Sequence, residues 1–508
     1  MTKSLTFTNP ATGNTFGEVE MTSTEEVQKI VEKARQAFPV WRAKSVKERI
    51  RILRAFQGVL IDKRDEITEV LNRDCGKSRQ DGLIELFVTV DMLAQYNAKA
   101  PKWLKPERVS SGLYVTKRSV VEHRPHGVTA VISPWNYPLT LSLPPMLAAL
   151  LAGNTVVLKP SEVTAATGVL IEKLIKEVPE LAPFAHVVHG DGRVGAALTQ
   201  ASPDFIFMTG STATGRKIMK TAAESLTPVS LELGGKDAMI VLEDADLEAA
   251  ARWGAWGAFF NTGQTCMAVE RAYVLESQYE AFVRLAVENT ENLTTGYTTD
   301  LNSSFFMGPI TDPRQVQIIE RHLEDALAKG ATLLTGGKKE GMFFDPMVLV
   351  DVDHSMLVMR EESFGPFLPI MKVKDEAEAI ELANDSRYGL GASIWSRDTN
   401  HAKRVADQVQ AGSVIINDCI AQFGIPMLPF GGVKDSGFGR THGREGLMQF
   451  TRPYSYAIGA PPFKWDIATI LRESGKYDLA TAILGGIYGT SLRQRWETIS
   501  QWLRRKRD

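Results

Sequence analysis

The 508-residue chain predicts an α/β fold: two doubly wound domains, a small β arm and a C-terminal helical extension. Three observations carry this. Between residues 128 and 224, short β-branched runs alternate with helical patterns in unbroken succession, the pattern that builds a parallel sheet. A second alternating series starts near Ala238 and runs beyond Ser413. Past Pro461 the alternation stops, and apolar side chains recur at helical spacing at Leu479, Ile483, Ile487, Leu492, Trp496, Ile499 and Leu503.

Residues 24–60 and 62–100 are expected to be helical. Thr24, then Glu25 and Glu26, precedes an apolar stripe of Val27, Ile30, Val31, Ala34 and Phe38, which has the period and start of a helix. From about Ser111 the pattern turns β-branched (Tyr114, Val115, Thr116, Val120, Val121) until Pro125 and Gly127 interrupt it, which predicts a hairpin or extended arm. Strands follow at 128–133, 155–159, 186–189 and 205–209, with helices at 139–152, 165–176 and 212–224. Such a sheet binds ligands at the carboxyl ends of its strands. The second series places strands at 272–275, 330–335, 347–352, 367–372, 392–395 and 413–417.

The expected domains are therefore a cofactor domain of 1–112 and 128–233, rejoined by the Gly-rich stretch within 429–447, and a second domain of 234–428. The arm comprises 113–127 and 448–460, whose β-like segments can pair, and 461–508 form the tail. Gly485, Gly486 and Gly489 interrupt the tail's apolar stripe, so two helices are expected there, before the closing Arg504-Arg-Lys-Arg507.

Composition narrows the function classes. With 44% apolar and 23% charged residues and a net charge of −2, the chain has no field to draw in nucleic acid. Cys75, Cys266 and Cys419 are widely spaced without a CxxC, which excludes a disulfide framework or zinc knuckle and fits a reducing compartment. No metal site is expected. The first residues lack a secretory apolar core, and the longest apolar runs are too short to cross a bilayer. A soluble, cytoplasmic body is expected.

Chemistry is sought first at Phe259-Phe-Asn-Thr-Gly-Gln-Thr-Cys-Met267, which sets Cys266 just beyond a polar turn. A cysteine is either a small buried hydrophobe or, once its surroundings help it ionise, a nucleophile. Glu232, in Leu231-Glu-Leu-Gly-Gly-Lys236, precedes Cys266 by 34 residues. It is a salt-bridged carboxylate or a general base that the following Gly-Gly lets swing. Asn136, in Pro134-Trp-Asn-Tyr-Pro138, is a turn residue or an oxyanion donor. Lys159-Pro-Ser-Glu162 ends a strand, where its charges are solvated or bind ribose hydroxyls. Gly210-Ser-Thr-Ala-Thr-Gly215 opens a helix that can face a phosphate, although it is not GxGxxG, and Gly190-Asp-Gly192 is a weaker case. Phe364, in Glu361-Glu-Ser-Phe-Gly-Pro366, flanks a flat ring or belongs to the core. Lys236 closes the Gly-Gly-Lys segment, and its role is left open.

Together with Asn9-Pro-Ala-Thr-Gly13 and Pro429-Phe-Gly-Gly-Val-Lys-Asp-Ser-Gly-Phe-Gly-Arg440, these motifs stand in an order that resembles the aldehyde dehydrogenase superfamily over residues 9–460. The resemblance implies that Cys266 is the nucleophile, Glu232 the general base, and Asn136 with the Cys266 amide the oxyanion hole. It implies a nicotinamide dinucleotide held by Trp135, Lys159, Ser161, Glu162, Gly192, Gly210, Ser211, Leu233, Gly234, Glu362 and Phe364. Glu162 would repel a 2′-phosphate, which favours NAD, with NADP as the alternative. The implied reaction oxidises an aldehyde through a Cys266 thiohemiacetal and a thioester, which water hydrolyses. Members that pass the acyl group to CoA characteristically lack the glutamate; acyl transfer, a cysteine hydrolase and a catalytically silent structural relative are the rivals. The arm implies a homodimer or homotetramer. The tail, Asn417-Asp418 and the LPFGGV stretch look like the fatty and aromatic aldehyde branch, which points to medium- or long-chain aldehydes. Residues 465–508 then pack on the body or a sister subunit, meet a membrane surface, or lid the substrate mouth.

Overall fold

The computed structural model describes residues 4–459, 472 and 476–505. The chain forms two compact units, residues 1–104 with 125–452, and residues 105–124 with 453–508.

The first unit opens with an antiparallel hairpin of Ser4–Thr8 and Thr15–Glu20, which the sequence pattern does not announce because most of its side chains are exposed. The expected helical segments 24–60 and 62–100 are each cut in two, giving Thr24–Ala43, Val46–Asp62, Arg64–Cys75 and Arg79–Trp103. Ser45 makes one of the cuts: its hydroxyl accepts from the Glu48 amide while the Glu48 carboxylate takes the Ser45 N–H, a reciprocal N-terminal cap. Gly76, in the left-handed region at φ 77°, ends the third helix as glycine does readily.

Among the described residues, five parallel strands and one antiparallel edge form the first sheet, in the order Gly437–Phe438, Val229–Glu232, Phe205–Thr209, Val128–Ile132, Thr155–Lys159, Ala185–Val187. Chain order reverses between Val128–Ile132 and Phe205–Thr209. In a doubly wound sheet the crevice for a ligand opens beyond the carboxyl ends of such a pair. The second sheet runs Thr332–Thr335, Met347–Val350, Phe367–Val373, Val269–Leu275, Asp237–Val241, Gly391–Trp395, Ser413–Ile416, parallel except at its first edge. Its strands are buried on both faces at the centre, so they read as continuous apolar runs rather than as alternation.

In the second unit Glu107–Val109, Lys117–Pro125 and Thr451–Gly459 form a three-stranded sheet, with the last strand beside the middle one. There the Tyr456 hydroxyl donates to Glu122, and the Arg124 guanidinium lies 3.3 Å from the Tyr454 ring centroid, a cation–π contact. The tail contains the helices Tyr477–Tyr488 and Leu492–Arg505, packed on one another. Gly489, Thr490 and Ser491 separate them. Gly485 and Gly486 were expected to break the stripe, yet they lie inside the first helix, because a Cβ on Gly485 would stand 2.4 Å from the Thr498 side chain. They are there for close approach. The last residue of the expected arm, 460, and parts of the expected tail, 461–471, 473–475 and 506–508, lie outside the described residues. Among the described residues no helix is long and apolar enough to cross a membrane.

Candidate active site

The two loops at the reversal of the first sheet carry Trp135 with Asn136, and Gly210 with Ser211. Both line a cavity of about 220 Å³ that also meets Glu232, Leu233, Gly234, Cys266, Glu362 and Phe364. Residues scattered over some 230 positions of sequence thus share one wall. The second sheet meets this cavity with the amino ends of its strands: Cys266 precedes Val269–Leu275, and Glu362 and Phe364 precede Phe367–Val373. Of the expected cofactor set, Lys159, Ser161, Glu162 and Gly192 do not line the cavity. Lys159, Ser161 and Glu162 sit one strand further along the sheet and Gly192 two; there Lys159 Nζ donates to Glu162 at 3.1 Å and Arg314 approaches the other Glu162 oxygen at 3.7 Å.

The Cys266 loop is held by hydrogen bonds rather than by regular structure. Asn261, Thr262 and Gly263 take successive left-handed conformations, at φ 53°, 60° and 72°. Glycine is required at the third, where a Cβ would come within 2.2 Å of the Gly365 carbonyl oxygen. Gln264 spans the turn: its amide donates to the Asn261 and Pro309 carbonyls and accepts from the Thr311 N–H. Asn136 donates to the Gln264 carbonyl at 3.0 Å, which spends one of its two N–H bonds and leaves the second. The Asn136 carbonyl in turn accepts from Lys77 Nζ at 2.9 Å and from the Asn261 side chain at 3.3 Å.

Two buried ion pairs fix these loops, and sequence reading passes over both. Lys77 pairs with Glu85 at 2.6 Å, with both side chains under 5% exposed. The Glu85 carboxylate also accepts from the Leu139 and Thr140 amides, which staples the Asn136 loop to the helix Arg79–Trp103. Lys236 pairs with Glu270, whose carboxylate accepts from the Ser363 and Phe364 amides at 2.8 and 2.9 Å. This holds Phe364 at φ 49°, edge-on to Trp135 at 5.5 Å between ring centroids. In sequence these lysines and glutamates look like ordinary solvated charges; only the motif around Lys236 marked it.

Glu232 ends its strand almost fully buried and accepts from the Thr441 amide at 3.1 Å. Burial pushes its carboxyl up to about 7, against the pull of Thr441. It borders both the main cavity and a pocket of about 20 Å³ beside Tyr96 and His442, which is room for a single water. Burial also raises Glu362 to about 8, with Glu270 adding to the push. The Cys266 thiol lies well above its ordinary value, first through burial and then through the carboxyls of Asp237, Glu232 and Glu362. Burial raises those carboxyls to about 7 for Asp237 and Glu232 and about 8 for Glu362, so their opposition to the thiolate weakens as pH falls through that range.

On its other side Cys266 meets a second cavity of about 190 Å³, walled by Ile84, Val88, Leu141, Trp256, Phe260, Met267, Ile420 and Phe423. The thiol therefore stands where a polar crevice at strand ends meets an apolar pocket. The crevice fits a dinucleotide: it opens at the reversal of the sheet, and Ser211 caps the helix Thr212–Glu224 at its rim, so a helix N-terminus faces the space.

Removing the Asn136 amide tests its part in the site. Asn136→Ala is expected to lower kcat by roughly 10²–10³ with a smaller change in KM, as loss of one oxyanion donor does. The contacts to Lys77 and Asn261 use the backbone carbonyl of residue 136 and survive the substitution. An unchanged kcat in a steady-state assay would remove Asn136 from that role.

The model of the aldehyde dehydrogenase family matches residues 1–455. The chain is 43% identical over 450 residues to 4,4'-diapolycopene aldehyde oxidase of Methylomonas sp, covering 88% of this chain and 84% of that protein. Among solved structures it is similar to the NADP-dependent glyceraldehyde-3-phosphate dehydrogenase of Bacillus halodurans C-125 complexed with NADP (34% identity, TM-score 0.86, covering 90% and 96% of the two chains). It is likewise similar to betaine aldehyde dehydrogenase of Staphylococcus aureus in complex with NAD+ (31% identity, TM-score 0.86, covering 91% and 93%). With this match over most of its length and this geometry around Cys266, the chain belongs to the aldehyde dehydrogenase family and is an oxidoreductase acting on aldehydes.

Proposed function

We propose that the protein oxidises an apolar, medium- or long-chain aldehyde to its carboxylic acid, with NAD preferred over NADP. The observation that carries this reading is the apolar pocket beside Cys266. Its only charged lining residue, Glu85, is already paired with Lys77, so among the lining residues no cation awaits the carboxylate of a semialdehyde. The relative acting on diapolycopene aldehyde supports the same direction.

Cys266 attacks the aldehyde carbon from the junction of the two cavities, and the free N–H of Asn136 receives the developing oxyanion. A bound nicotinamide dinucleotide would accept the hydride that leaves this carbon. Trp135, Gly210, Ser211, Leu233, Gly234, Glu362 and Phe364 would line its site, with Lys159, Ser161, Glu162 and Gly192 beyond. Cys266 then carries the acyl group as a thioester, and Glu232, beside a water-sized pocket, takes the proton of the attacking water. A glutamate in this place favours hydrolysis over transfer to CoA. A homo-oligomer joined through the arm of 113–127 and 448–460 belongs to the same reading.

A panel of straight-chain aldehydes tests it. kcat/KM should rise about fourfold per methylene, the worth of one buried CH₂, until the pocket is full, and NAD should outperform NADP because the Glu162 carboxylate would repel a 2′-phosphate. A preference for succinic semialdehyde over an alkanal of equal length would sink the apolar assignment.

A further inference from the structure

The tail hairpin is built inside out. Where its two helices meet, the contacts involve Gly485 against Thr498 and Gly486 against Ile499, with Ala482 buried. Several of its large apolar side chains point outward instead: Leu492 is 84% exposed and Trp496 69%, and Tyr477, Leu484, Tyr488 and Leu503 are exposed as well. In the second helix Leu492, Trp496 and Leu503 recur at i, i+4 and i+11, one face of an α-helix; in the first Tyr477, Leu484 and Tyr488 recur at i, i+7 and i+11, again one face. A hairpin that answered only to water would turn these side chains inward.

Charge and chemistry say what covers the face. Residues 476–508 carry seven Lys or Arg against three Asp or Glu, and the outward face includes Trp and Tyr, the side chains that settle at the headgroup level of a bilayer. Neither helix is long and apolar enough to cross a membrane, so the fit is to a surface. A second copy of the chain would bring two cationic hairpins face to face, which like charge opposes. The match to the family ends at residue 455, so the hairpin is an addition to the family body.

We propose that the helical hairpin 477–505 docks the protein on a lipid surface rich in anionic headgroups. This rests on the apolar-aldehyde reading only for its purpose: such a substrate partitions into lipid. The docking itself is read without any activity.

Full-length protein is floated with vesicles of phosphatidylcholine containing a quarter phosphatidylglycerol, and with pure phosphatidylcholine vesicles. The protein should float with the anionic vesicles, weakly with the neutral ones, and less in high salt, which screens the attraction. Leu492→Glu with Trp496→Glu in the full chain should cut the vesicle-bound fraction at least tenfold; both side chains are exposed, so the fold is not at risk. Turnover of a short, water-soluble aldehyde and the molecular mass in solution should stay the same. The proposal is overturned if the parent does not float, if the variant floats equally well, or if neutral vesicles serve as well as anionic ones. A fall in the variant's molecular mass would also overturn it, since the face would then be covered by a second copy.

Discussion

Cys266→Ala is expected to reduce turnover to background, a loss of roughly 10⁵ or more in kcat, as removal of a covalent nucleophile does. No other thiol can replace it. Cys75 and Cys419 are buried, and burial raises both thiols, Cys419 to about 12. The alanine leaves the loop intact, since Gln264 ties it through Asn261, Pro309 and Thr311 and not through the sulfur. The dinucleotide should therefore still bind and raise the melting temperature; at a hundredfold excess over Kd the gain is about 2.7 kcal/mol. Alkylation by iodoacetamide of the native protein should disappear with Cys266. Loss of activity together with loss of dinucleotide stabilisation would mean that the substitution collapsed the crevice, and the sulfur would have no proven chemical part.

What could be read from the sequence, and what could not, divides along physical lines. Strands such as Thr155–Lys159 and Phe205–Thr209 are legible because a buried parallel strand leaves a short apolar run bounded by turn residues. Gly210-Ser211 and Asn136 are legible for a related reason: tight turns at strand ends restrict which residues fit. The partners of those residues are not. Asn136 and Gln264 are 128 positions apart, and nothing local in either segment refers to the other. Lys77 and Glu85 look like two solvated charges near the start of a helix, and their burial depends on the Asn136 loop folding over them. Burial also sets the protonation of Glu232, Asp237 and Glu362, which no sequence pattern encodes. In the tail the same glycines that suggest a broken helix prove to be a contact surface: absence of a side chain signals flexibility and close packing alike.

Glu232→Gln separates the two halves of the reaction. The substitution keeps size and an acceptor oxygen for the Thr441 amide but removes the basic form. Thiol addition and oxidation should proceed once, giving a burst of about one NADH per site. The acyl group should then remain on Cys266, with steady turnover lower by roughly 10²–10⁴, the worth of a positioned base. Mass spectrometry of quenched enzyme should show the thioester on the peptide containing Cys266. The pH dependence follows from the carboxyl at about 7: only its ionised form accepts the proton of water, so parental deacylation should climb tenfold per unit below pH 7 and level off above. The glutamine variant should lack that climb. Stability should move in the opposite sense. An unfolded glutamate ionises near pH ~4.3, so between that value and about 7 the native chain binds a proton that the unfolded chain has released, and parental stability falls as pH rises through this window. The neutral glutamine removes this slope, and the variant should melt higher than the parent at pH 8. Undiminished steady turnover in the variant would falsify the assignment of Glu232 as the base, whereas a burst with an unchanged melting profile would leave the base in place and show that water reaches this carboxyl more freely than its burial implies.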